Sequence, residues 1–211
     1  MSFQIKIINV KFCCGKTVIF NLILREMISI KYYHGSPASG LKVLKPFLSN
    51  HKKKYVYLTT NEVVALFYTV KTDWYTYGFD KETGLPVFTE YYKDELKDLY
   101  NNKVGYIYEV DSESISKNPT NISCAVVVEH DIQIYSETKI NNLYDRFLQY
   151  EKEQRLIIKR YGELSQEEIK RINKIVVGEI KDNLYNITSG YSKFLKEKFP
   201  DIWNECLSEN K

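Results

Sequence analysis

With 211 residues and 44% hydrophobic content, the chain is long enough to bury one sizeable core, in one or one and a half ordinary domains. A charged fraction of 27%, a net charge of +3 and the lack of any apolar run approaching about 18 residues exclude a bilayer-spanning helix, a disordered tail and a polyelectrolyte. Tyrosine is in excess: 18 Tyr stand against 2 Trp and 10 Phe, and 12 of them fall between Tyr32 and Tyr108, so that third of the chain holds either an aromatic core or a stacking site.

Residues 3–10 alternate apolar and polar side chains like a strand, and residues 18–24 form an apolar run, broken by Asn21, that is too short to cross a bilayer. Gly15-Lys16-Thr17 resembles the end of a phosphate-binding P-loop, but the position that needs the first glycine is Val10. Met27 directly precedes a strand-like stretch over 28–33, so residues 1–26 read as an N-terminal extension, upstream of a translation start at Met27. A turn follows at Gly35-Ser36-Pro37, then a loop over 40–50. A strand over 55–58 runs into Thr59-Thr60-Asn61-Glu62, whose S/T-x-x-E spacing predicts a capping box and hence a helix. Val63, Leu66, Phe67 and Val70 form its buried stripe, with Val64 and Tyr68 on a flanking face.

Residues 74–79 and 87–92 flank a polar segment ending in Gly84, which suits a hairpin. A short helix is expected over 93–100, and strands over 104–110, 124–128 and 131–135. After Ile140 the period becomes helical. Ser165 and Glu168 form a second capping box ahead of Ile169, Ile172, Val176 and Ile180, and residues 191–207 carry Phe194, Leu195, Phe199, Ile202 and Trp203. The predicted class is α+β: a mostly antiparallel, split sheet in a core over 27–140, followed by a C-terminal helical segment over 141–211 packed on it.

Lys outnumbers Arg 25 to 5, and the arginines are Arg25, Arg146, Arg155, Arg160 and Arg171. A bidentate guanidinium clamp on phosphate or carboxylate therefore cannot come from residues 26–145. Cys13, Cys14, Cys124 and Cys206 have no CxxC spacing and no nearby histidine pair, which argues against a zinc site. Free thiols and no cleaved secretory signal point to a reducing, cytoplasmic setting. A basic stripe with interleaved aromatics and arginines is not visible, so nothing indicates nucleic acid as a partner.

The residues that stand out for chemistry are His34-Gly35-Ser36 at a strand end, Tyr57 in the next strand, and Tyr68 eleven positions later on the helix. Together with Tyr55-Val56-Tyr57-Leu58-Thr59-Thr60-Asn61 and Ala65-Leu66-Phe67-Tyr68, this pattern resembles the nicotinamide-binding core of the ADP-ribosyltransferase superfamily. The likeness is to its histidine-tyrosine-glutamate branch, the diphtheria-toxin and poly(ADP-ribose)-polymerase type, and covers residues 32–134. Gly105-Tyr106-Ile107-Tyr108-Glu109-Val110 looks like a central strand of that fold.

The resemblance implies NAD as substrate, with its nicotinamide ring stacked between Tyr57 and Tyr68. Two aromatic faces suit a flat ring without requiring a charge. It also implies that His34 hydrogen-bonds a ribose hydroxyl on the adenosine side, that the Gly35 backbone holds the carboxamide, and that Ser36 belongs to the same binding site. Cleavage of the nicotinamide–ribose bond through an oxocarbenium-like state calls for a carboxylate near the 2′-hydroxyl. The family places a glutamate at the start of a late strand, and the matching neighbourhood makes Glu129 the candidate. A register shift of one would put His130 there and remove the carboxylate. Glu109, Glu137 and Glu90 are fallbacks. Ala65 stands where many relatives carry a serine that bonds the carboxamide. The expected function is NAD-dependent ADP-ribosyl transfer to an unknown acceptor, or NAD hydrolysis. The alternative is a non-catalytic member of the fold that binds a nucleotide or a protein.

Overall fold

The structure, a computed structural model, describes residues 31–48, 52–72, 74–110 and 118–209. The readings on residues 3–10, on Cys13 and Cys14, and on the extension before Met27 lie outside the described residues. Tyr32–Lys211 forms one compact unit. Its main elements in chain order begin with β1 (Tyr32–Ser36), β2 (Val43–Leu44), β3 (Phe47–Leu48), β4 (Lys54–Thr59), α1 (Glu62–Phe67), β5 (Tyr77–Phe79), β6 (Pro86–Thr89) and α2 (Glu95–Tyr100). They continue with β7 (Gly105–Val110), β8 (Ala125–Val128), β9 (Ile132–Gln133), β10 (Ser136–Ile140), α3 (Leu143–Lys152), β11 (Ile157–Lys159), α4 (Gln166–Asn183), α5 (Gly190–Lys198) and α6 (Pro200–Glu209). The class is α+β with mostly antiparallel sheets. No helix of the described residues is long and apolar enough to cross a membrane.

The largest sheet runs β10-β7-β1-β4-β3, with β8 paired to β4 as well. Its pairings are antiparallel, and β1 aligns with β7 over its whole length, from Tyr32↔Val110 to Ser36↔Tyr106. Because alternate residues of a strand face opposite sides, this one sheet feeds two cores. Tyr32, Val56, Leu58, Val110 and Val128 face a smaller cluster that also holds Leu44 and Ile132. Tyr33 and Ile107 face the larger cluster, beneath α1. Buried on both sides, the central strands lose the simple apolar/polar alternation.

The larger cluster joins what the sequence divides at residue 140. Phe67 on α1 stacks on Phe147 of α3 at 4.9 Å between ring centroids, and Trp74 touches Phe194 and Phe199 of the last helices. A second sheet, β11-β6-β5, pairs Phe79↔Pro86 as the expected hairpin. It also brings β11 from the helical segment alongside β6 in parallel, with Ile158↔Phe88. That strand was not expected, since three residues carry no readable period.

Several boundaries differ from expectation for identifiable reasons. β1 continues through Gly35 and Ser36 because both pair with β7. The predicted capping box at Thr59 does not form: Thr59 stays in β4, paired with Tyr33 and Ala125, and Asn61 becomes the N-cap by accepting the Val63 N–H at 3.0 Å. The second box forms as predicted, with Ser165 and Glu168 bonded reciprocally. The helix expected over 191–207 is two helices. Pro200 has no N–H to offer an incoming helix, so α5 ends at Lys198, and α6 starts with Pro200 in its first turn, where that donor is not required.

Candidate functional site

The site residues sit where the main sheet opens. β1 and β4 share the register pair Tyr33↔Thr59 and no other among the described residues. Beyond it, toward Ser36 and the start of β4, a side chain spans the gap. The His34 Nδ1 lies 2.9 Å from the Tyr57 carbonyl oxygen. A carbonyl can only accept, so Nδ1 carries the proton, and the neutral ring presents Nε2 as an acceptor. Burial holds the imidazole below its ordinary 6.5, against the opposing pull of the Tyr57 carbonyl. The ring is therefore neutral at pH 7, and Nε2 suits a ligand hydroxyl.

Gly35 explains itself by contact. A Cβ there would stand 1.9 Å from the Ala65 carbonyl oxygen and 3.2 Å from the Tyr68 carbonyl carbon. Only a residue without a side chain lets the last turn of α1 lie directly on β1. The same contact brings the Tyr68 backbone against the His34-Gly35 step. His34 and Tyr57 are thus joined by a hydrogen bond, and Gly35 and Tyr68 by backbone packing.

The aromatic walls have different surroundings. Tyr57 is half-buried, with Phe47 at 5.5 Å and Tyr55 at 5.9 Å between ring centroids. Tyr68 caps α1 and remains 38% exposed, its ring 5.1 Å from Tyr75 and its hydroxyl sharing a 2.7 Å hydrogen bond with that of Tyr77. Burial raises both phenols, Tyr77 the more strongly, and a charge on the nearby Cys124 thiol would push each in the same direction. Ser36 is buried, and its Oγ accepts the Ala38 N–H at 3.1 Å, so the hydroxyl shapes its own turn.

The candidate carboxylate follows the strand that pairs with β4. β8 begins after Cys124, whose Sγ accepts the Thr59 hydroxyl at 3.3 Å, and ends before Glu129. Glu129 follows the strand's end, at the same end of the sheet as the start of β4, and its carboxylate pairs with Lys53 at 2.7 Å. With relative exposures of 56% for Lys53 and 40% for Glu129, this is a solvated contact of the weakly stabilising kind. His130 is exposed beside it. Glu129 stands three residues ahead of β9, the late strand whose start the resemblance assigns to a glutamate.

The fallback carboxylates have other duties. Glu90 is buried, accepting the Leu96 N–H at 3.3 Å and the Tyr161 N–H at 3.1 Å. Glu109 lies on β7 opposite Tyr33, on the face under α1. Glu137 accepts the Gly40 N–H at 2.6 Å.

Three further residues join the site. Tyr75 and Tyr77 flank Tyr68, and their i, i+2 spacing in an extended segment was the available signal. Cys124 reaches the site through pairing between β4 and β8, which no local spacing announces. Among the described residues no cluster of three or more His, Cys, Asp or Glu could hold a metal ion. No protein-family profile, curated protein or solved structure matches this chain.

Proposed function

We propose that the chain binds NAD in the opening between β1 and β4 and cleaves its nicotinamide–ribose bond, as an ADP-ribosyltransferase-type fold carrying out transfer or hydrolysis. One observation carries this reading: His34 is bonded to the Tyr57 carbonyl while Gly35 lies on the backbone of Ala65 and Tyr68, so residues 23 and 33 positions apart form one local structure. In this reading the nicotinamide ring lies against Tyr57 and Tyr68, and the neutral His34 accepts a ribose hydroxyl at Nε2. Glu129 supplies the carboxylate that steadies the developing oxocarbenium charge, exchanging its solvated pair with Lys53 for the ligand.

A second reading, a member of the same fold that binds a nucleotide or a protein partner without turnover, draws on the departures at Ala65 and beside His130. Ala65 offers no hydroxyl to a carboxamide, His130 is exposed next to Glu129, and the Glu129 carboxylate is engaged by Lys53 at 2.7 Å. Incubating the chain with labelled NAD and following both binding and nicotinamide release separates the two. Release that is lost in Glu129→Gln while binding persists supports cleavage, and binding should fall about tenfold or more in Tyr57→Ala if a stacking face is removed. Binding without release, indifferent to Glu129→Gln, supports the second reading. Absence of NAD binding by the wild type overturns the NAD reading.

A further inference from the structure

We propose that Tyr108 and Glu137 are positioning residues that hold the loop after His34 in a closed shape suited to the ADP-ribose half of the ligand, a proposal that rests on the NAD reading above. The sheet register sets them in line. His34 on β1 pairs with Tyr108 on β7, and Tyr108 with Glu137 on β10. Directly opposed residues project from the same face, so the three side chains form one cross-strand row.

At the far end of that row the side chains reach the loop backbone. Tyr108 is wholly buried, and its hydroxyl donates to the Ala38 carbonyl at 2.7 Å and accepts the Leu41 N–H at 3.4 Å. Glu137 accepts the Gly40 N–H at 2.6 Å, with Gly40 at φ +71°, a conformation that favours glycine. Residues 37–40 are otherwise exposed to water. Three backbone groups within four residues are therefore held by two side chains from neighbouring strands. Burial, followed by the neighbouring Glu137, raises the Tyr108 phenol to about 12, which keeps its hydroxyl a donor at neutral pH.

The loop begins after Ser36, two residues beyond the histidine assigned to the ribose, whereas the nicotinamide lies on the side of Tyr57 and Tyr68. A loop already ordered before binding spares the ligand the entropy of ordering it. Loosening the clamp should therefore weaken ligands that contain ADP-ribose and leave nicotinamide alone unaffected. This also accounts for Glu137 without giving it a role in bond cleavage.

The test compares wild type, Tyr108→Phe, Glu137→Ala and Glu137→Gln in two measurements. One is hydrogen exchange at the Gly40 and Leu41 amides without ligand; the other is titration with NAD, ADP-ribose and nicotinamide separately. Exchange in Glu137→Ala and Tyr108→Phe should accelerate about tenfold, and binding of NAD and ADP-ribose should weaken by about the same factor, with nicotinamide unchanged. Glu137→Gln, whose amide oxygen can still accept from Gly40, should return both readouts to within about threefold of wild type. Unchanged exchange in Glu137→Ala overturns the clamp. Equal weakening of all three ligands overturns it as well, because general loosening of the fold would do that. A wild type that binds neither NAD nor ADP-ribose, with exchange responding as expected, overturns the NAD reading and the loop's assigned ligand while leaving the clamp itself supported.

Discussion

Glu95 is a fully buried carboxyl that accepts hydrogen bonds from the Trp74 indole at 2.8 Å and the Thr76 hydroxyl at 2.9 Å, and a further one from the Tyr91 N–H. It thereby fixes the segment that carries Tyr75 and Tyr77 toward Tyr68. Burial raises its pKa from 4.5 to about 7, and those three donors only partly offset the effect. The folded chain holds this proton more tightly than the unfolded chain. Its stabilising contribution is complete below about pH 4.5 and is lost as pH rises to about 7. His34 acts in the opposite direction: its pKa is lowered by burial, so its contribution is complete above 6.5 and is lost as pH falls below that value. Denaturant unfolding of Glu95→Gln at several pH values isolates the first effect. Relative to wild type, the variant should gain roughly 3 kcal/mol between pH 4.5 and 7. Any constant penalty from an amide facing the Tyr91 N–H leaves that slope intact, and a difference between the two proteins that does not vary with pH would refute the linkage.

At the scale of elements, the two capping-box patterns show when local chemistry decides a boundary. Ser165 follows a short 3-10 turn over residues 161–163 and belongs to no strand, so its box with Glu168 starts α4 as the spacing predicts. Thr59 has the same local pattern, but its backbone is claimed by β1 and β8, and the helix start moves to Asn61. Glu62, freed from the box, pairs with Arg155 at 2.8 Å and ties the residues after α3 to the front of α1. Asn61→Ala should cost about 1 kcal/mol in urea unfolding, the usual worth of an N-cap. A neutral outcome would mean that Asn61 does not carry the cap. The register of α1 matters beyond stability, because its last turn rests on Gly35 and delivers Tyr68 to the site.

Over the whole molecule, the division at residue 140 marks a change in sequence period, and the core runs across it. Phe147, Leu156, Ile158, Val176, Ile180, Leu195 and Trp203 belong to the same cluster as Phe67, Trp74 and Phe88. Burying each large apolar side chain is worth about 1.5–3 kcal/mol, so removing the seven later residues forfeits an amount comparable to or above the roughly 5–15 kcal/mol of net stability typical of a domain. A fragment ending at Ile140 should therefore show no cooperative thermal transition and rapid proteolysis. A sharp transition in that fragment would show that residues up to 140 fold by themselves. The tyrosine excess divides along the same lines: Tyr100, Tyr108 and Tyr150 are buried, while Tyr57 and Tyr68 keep an exposed portion at the opening between β1 and β4.

By itself, the sequence determined the α+β class, the α4 cap, the β5–β6 turn and the spacing that singles out His34, Tyr57 and Tyr68. Each of these depends on residues close together in the chain, where periodicity, capping and turn chemistry operate. Tertiary structure alone decided that β1 and β4 separate after one paired position, that Gly35 must be glycine, and that Glu129 pairs with Lys53. It also decided that Glu137 serves the loop at Gly40. Those outcomes depend on strand register, and a shift of one residue reverses the face that every side chain occupies. Register is set by burying both faces of the sheet at once, a condition that no short stretch of sequence contains.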